Sequence, residues 1–140
     1  MINNIDLEKK NYKSAKEKFS EVKTFTEIDS DLINRATLGI AITDYFQNNY
    51  DDALKGFLKL SKSAPNFEKN KVSFYVAEIY MIKSEYGTAL RYYAGVNRSD
   101  DKIYQQTIYG RAYAYFNMRD YGNASVNFKK FIQNNKRGIT

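Results

Sequence analysis

The chain has 140 residues, 43% hydrophobic and 27% charged, with a formal net charge of +6, enough chain for one domain with its own core. It contains no cysteine and no histidine, which excludes disulfides, thiolate metal sites and cysteine nucleophiles and removes the usual general base near neutral pH. One proline and seven glycines argue against a loop-rich or all-β chain, and no stretch approaches the roughly 18 apolar residues of a membrane span.

Along the chain, the first element is YKSAKEKF (Tyr12–Phe19), where tyrosine, an alanine at i+3 and a ring at i+7 share one face of a 3.6-residue helix. Only MINNIDLEKKN precedes it, too short and polar for a full partner helix. That stretch also lacks the apolar core of a signal peptide, which points to the cytoplasm if the chain is complete. A chain excised from a longer protein is equally compatible with a periplasm or envelope. The lysines of this region alternate with glutamates, which reads as a solvated helix face with i,i+4 pairs.

The next predicted helix, DSDLINRATLGIAITDYF, opens on Asp29, Ser30 and Asp31 as candidate caps and carries Leu32, Ala36, Ile40 and Ala41. The polar join QNN leads to YDDALKGF (Tyr50–Phe57), and Pro65 stands where it stops that helix. KVSFYVAEIYMI, the join KSE and YGTALRYY (Tyr86–Tyr93) repeat the pairing. Ser99 and Asp100 then precede DKIYQQTIYGRAYAYFN, which is followed by the join MRD and YGNASVNFKKFIQNN. Joins this short make antiparallel helix hairpins.

The four phrases align. Their tyrosines, Tyr12, Tyr50, Tyr86 and Tyr121, recur at intervals of 38, 36 and 35 residues. In step with them come Ala15, Ala53, Ala89 and Ala124, the rings Phe19, Phe57, Tyr93 and Phe128, and the apolar Val22, Leu60, Val96 and Phe131. Nine residues before the later tyrosines stand Ala41, Ala77 and Ala112. Small side chains at helix crossings let two backbones approach while a ring one turn away fills the gap. A hairpin built this way leaves an apolar face that only a neighbour can bury, so the phrase must recur.

A small residue in one helix, then Tyr-x-x-Ala-x-x-x-(Phe/Tyr) in the next, resembles the tetratricopeptide repeat, with NYDDALKGFLKLSKSAP the best-matching copy. The likeness runs from about Tyr12 to Lys136. It departs at Thr37, Ser73 and Ile108, where the family usually has a large aromatic, and at Asp101 and Lys136, where proline is missing. The resemblance implies an all-α fold, a right-handed α-solenoid of antiparallel hairpins with about three and a half repeats. These would form one array over residues 1–140: a half repeat over 1–28, then repeats at about 30–65, 70–99 and 101–136.

The function implied is a non-enzymatic interaction module that receives a peptide or helix of a partner protein in a concave groove. Carried over, the groove residues are Arg35, Leu38, Ile42 and Phe46, then Lys71, Phe74 and Glu78, then Gln106, Tyr109, Tyr113 and Asn117. Tyr45, Met81 and Phe116 lie in the same register and read rather as core. Tyr109 and Tyr113 are assigned to the partner surface, with Phe74 and Glu78 repeating their spacing one hairpin earlier. Arg35 and Lys71 are the only cations in the set and Asn117 its only asparagine, which disfavours a clamp for a terminal carboxylate. The last helix carries Val126, Phe128, Phe131 and Ile132 with no polar helix after it, which predicts homodimerisation through terminal helices or a need for more chain.

An architectural or self-assembly segment of a larger complex, with a bacterial envelope complex as one case, is the alternative. Nucleic-acid binding is a minor third, because the basic segments Lys9–Lys18 and Lys129–Arg137 stand at opposite ends of the predicted array. No phosphate-binding glycine loop occurs, and DSDLIN lacks the glycine of a calcium loop. Asp51/Asp52 and Asp100/Asp101 sit at predicted helix starts, where capping explains them. No catalytic, cofactor-binding or metal-ligating residue is expected, and no cofactor.

Overall fold

Each copy of the phrase forms a helix in the structure, a computed structural model that describes residues 12–23 and 29–136. The protein is all-α, with seven helices and no strand among the described residues. α1 (Tyr12–Lys23), α2 (Ser30–Phe46) and α3 (Tyr50–Ser63) belong to one compact unit that ends at Phe67. α4 (Lys69–Ile82), α5 (Tyr86–Tyr93), α6 (Asp101–Asn117) and α7 (Tyr121–Lys136) belong to a second that begins at Glu68. Residues 1–11 and 24–28 of the expected half repeat, the side chains of Tyr12, Phe19 and Val22, and Arg137 lie outside the described residues.

The helix starts follow side-chain chemistry. Asp29 caps α2 by accepting from the Leu32 amide at 3.0 Å, and Asp100 caps α6 by accepting from that of Ile103 at 3.2 Å. Asp120 does the same for α7, accepting from the Asn123 amide at 3.3 Å. The helix stops follow one backbone design used three times. In the joins Gln47–Asn49, Lys83–Glu85 and Met118–Asp120, the middle residue is left-handed: Asn48, Ser84 and Arg119, with φ of 66°, 60° and 63°. The amide after it donates back across the last turn, Asn49 to Asp44, Glu85 to Tyr80 and Asp120 to Tyr115, at 2.8–2.9 Å. Together with the bond that the left-handed residue itself donates three residues back, at 3.0–3.1 Å, this is a Schellman closure.

In the first unit α2 packs on both α1 and α3. Ala15, Ala41, Ala53, Phe57 and Leu60 are buried, and a β-carbon at Gly56 would meet that of Ala41 at 3.0 Å, so the α2–α3 crossing is close. Burying each large apolar side chain contributes about 1.5–3 kcal/mol. Lys16 does not sit on a purely solvated face. Its ammonium bonds Asp44 Oδ1 at 2.6 Å, and that carboxylate is almost wholly buried, so a charge pair ties α1 to α2.

In the second unit α4 packs on α5, α5 and α4 on α6, and α6 on α7. Ala77 and Ala89 meet at the α4–α5 crossing around Tyr93, with Phe74, Tyr80, Met81 and Tyr92 packed against them. Tyr80 and Tyr92 stack across this hairpin at 5.6 Å and 16°. The Asn70 side chain clamps the loop after α5, donating to Asn97 Oδ1 and Ser99 Oγ at 3.0 and 2.9 Å while accepting from the Asn97 amide at 3.0 Å.

Candidate partner-binding face

The second unit contains the same apolar columns in two settings. On the α4–α5 hairpin the column ring is Tyr93, 1% exposed. α6 lies over it, and a β-carbon at Gly110 would collide with its phenol, so glycine is what lets the two come together. On the α6–α7 hairpin the matching ring, Phe128, is only half-buried, as is Phe131 in the column of the buried Val96. What they touch is Tyr109 and Tyr113, and those remain 44% and 41% exposed.

These rings form a connected surface on α6 and α7. Tyr109 and Tyr113 meet edge-on with centroids 5.0 Å apart. Tyr109 lies 5.2 Å from Phe131 and 6.2 Å from Phe128, and Tyr113 lies 5.2 Å from Phe128. Phe116 extends the patch from Tyr113 at 6.4 Å to Tyr121 at 5.7 Å, and both Phe116 and Tyr121 are exposed. The hydrogen bond from the Tyr109 hydroxyl to that of Tyr113 holds the Tyr109 phenol above its ordinary pKa, with smaller contributions from desolvation and from the neighbouring phenol's charge. Gln106 and Asn117, on the same helix, are also exposed.

The equivalent pair one hairpin earlier behaves differently. Phe74 packs on the Ala77–Ala89–Tyr93 cluster, its ring 6.4 Å from that of Tyr93. Burial pushes the Glu78 carboxyl above its usual range, and the Tyr93 hydroxyl, donating to it, pulls part of the way back. Burial, then the Glu78 charge, raises the Tyr75 phenol. Lys71 is half-buried, its ammonium 3.9 Å from Glu68. In the first unit Arg35 is exposed and paired with Asp31 at 2.7 Å, Leu38 is buried, Ile42 is half-buried, and Phe46 is exposed with its ring edge-on to Tyr45 at 5.2 Å.

Spacing alone groups Tyr109 with Tyr113, sets Phe128 and Phe131 apart as an end face, and gives no sign that Tyr121 adjoins them. The alignment itself held the missing signal, since Phe74 and Tyr93 occupy the columns of Tyr109 and Phe128. Among the described residues no group of three or more Asp, Glu, His or Cys side chains could hold a metal ion, and no helix is long and apolar enough to cross a membrane. No protein-family model matches the sequence, and no curated protein matches it.

Proposed function

We propose that the protein is a non-enzymatic interaction module of the tetratricopeptide type, and that a helix or peptide of a partner protein docks on the rings of α6 and α7. One observation carries this reading: the columns that α6 covers on the α4–α5 hairpin are left open on the α6–α7 hairpin, where they are filled with aromatic side chains. Grouped, rigid rings give much contact area at low entropic cost. The occupant favoured is a helix with a small residue at its centre, because Gly110 of α6 is what meets Tyr93 in the covered copy.

The test is the double variant Tyr109→Ala/Tyr113→Ala in a pull-down from the source organism, followed by mass spectrometry and titration of the captured partner. Partner affinity should fall by at least about 2 kcal/mol, with helicity and melting temperature close to wild type. A large fall in melting temperature, with capture merely following the folded fraction, would assign both rings to the core. The alternative of a self-assembling segment draws on Val126 and Ile132, which are also exposed on α7. Light scattering that finds a dimer abolished by the same double variant would favour it.

A further inference from the structure

Away from the aromatic face, the second unit gathers two cations on a single neutral oxygen. The Arg98 guanidinium lies 5.4 Å from the centre of the Tyr104 ring and donates to its phenol oxygen. The Lys130 ammonium lies 5.8 Å from the same centre and donates to the same oxygen at 3.4 Å. Among the described residues neither cation has a carboxylate within ion-pair distance. Led by the bond from Arg98, this environment lowers the Tyr104 phenol below its ordinary value.

Beside this group is a half-open cavity of about 280 Å³ lined by Arg98, Asp101, Tyr104, Gln105, Gln133 and Asn134. Its lining is polar, and most of it can donate hydrogen bonds. Asp101 is the carboxylate in it, and Asp101 Oδ1 already accepts from Gln105 Nε2 at 3.3 Å. Asn134 spends one amide hydrogen on a long 3.4 Å contact to Gln105 Oε1, leaving the other available. Arg98 is carried by a held backbone, because the Asn70 clamp fixes Asn97 and Ser99 on either side of it.

The phenol supplies neither cation with a countercharge; the Asp101 carboxylate acts on Arg98 only from beyond ion-pair distance, and two cations face that one anion. Charge-assisted bonds to an anion are roughly twice as strong as bonds to neutral acceptors. A planar guanidinium, an ammonium and carboxamide donors from two helices approach from several directions. That spread suits the multiple oxygens of a tetrahedral group better than the two of a carboxylate. We infer that this cavity binds a phosphate-type oxyanion, with Arg98 and Lys130 carrying the charge and the Gln133 and Asn134 amides orienting it.

The experiment is an NMR titration of the full chain with inorganic phosphate, ionic strength held constant with chloride, following side-chain amide signals. The Gln105, Gln133 and Asn134 signals should move together along one saturable curve, with a dissociation constant of about 1 mM or tighter. Arg98→Gln and Lys130→Gln should each weaken this by about tenfold or more, equivalent to at least ~1.4 kcal/mol. Phosphate should raise the melting temperature of the wild type but not of either variant. Arg98 lines the cavity and Lys130 stands beside it on the Tyr104 hydroxyl, so each variant's unliganded spectrum serves as its own check of folding. No saturable shift, shifts spread over every surface lysine, or shifts unchanged in Arg98→Gln would overturn the inference. Acetate binding as tightly as phosphate would overturn the assignment to a phosphate-type group.

Discussion

Tyr93 and Phe128 occupy the same column of the repeat, in the same unit, yet one is sealed and the other is half-open. The difference does not arise in their own helices. Both follow a buried alanine four residues earlier, Ala89 and Ala124, and in both copies the aligned alanine of the preceding helix, Ala77 and Ala112, is buried too. It arises in the neighbour, because α6 lies over Tyr93 whereas the rings flanking Phe128 face outward. A repeat position thus specifies a side chain's size and direction, while burial is decided by what comes next. The open copy is also the more aromatic: Glu78 of the covered hairpin is Tyr113 here, and Met81 is Phe116.

The sharpest break of this comparison is to truncate both rings. Tyr93→Ala should cost about 3–5 kcal/mol, the range for emptying a sealed aromatic site. Phe128→Ala should cost about 1–2 kcal/mol, since a half-buried ring has less contact to lose. Urea unfolding measures both, and equal losses would mean that the two faces are covered alike. Gly110→Ala comes next, because the added methyl must displace the Tyr93 phenol. A destabilisation of about 1–3 kcal/mol is expected from overpacking, whereas Gly122→Ala, with only Asp120 Oδ1 at 4.0 Å, should show none of it.

The smallest effect concerns Glu78. Its carboxyl is held above the usual range by burial, so ionisation opposes folding. The stability linked to its protonated form is fully present below the unfolded value of about 4.3 and is lost as pH rises through the raised folded value. Glu78→Gln keeps an acceptor for the Tyr93 hydroxyl without the charge. It should therefore be more stable than wild type at neutral pH, with the gap closing at about pH 4. A thermal-melt series across that range would show it, and a gap independent of pH would place the burial penalty elsewhere.

Much of the fold was legible because it is local or periodic. The alanine and ring columns, the caps at Asp29 and Asp100 and the three polar joins all follow from spacing and short-range chemistry. Pro65 also stands just beyond α3, which ends at Ser63. The left-handed residues in the joins were not legible, since Asn48, Ser84 and Arg119 occupy a place where glycine is the usual signal. The turns are set by their closing hydrogen bonds, and three unlike side chains tolerate them. The Lys16–Asp44 pair was hidden for another reason: its partners stand 28 residues apart, and sequence offered Lys16 nearer glutamates. At the candidate face, spacing identified Tyr109 and Tyr113 as one pair. It did not reveal that Phe74 and Glu78, in the same columns, turn against Tyr93 instead.

The stacked pair of Tyr80 and Tyr92 has a spectroscopic consequence. With 13 tyrosines, no tryptophan and otherwise only the weakly absorbing rings of nine phenylalanines, tyrosine dominates the intrinsic near-ultraviolet emission and the aromatic dichroism. Two nearly parallel phenols 5.6 Å apart, one on α4 and one on α5, are close enough for their transitions to couple. That coupling falls off steeply with separation, so it should vanish as soon as this hairpin opens. The protein thus carries a native optical gauge of one helix pair, and Tyr92→Leu would switch it off while leaving the remaining tyrosine signal in place.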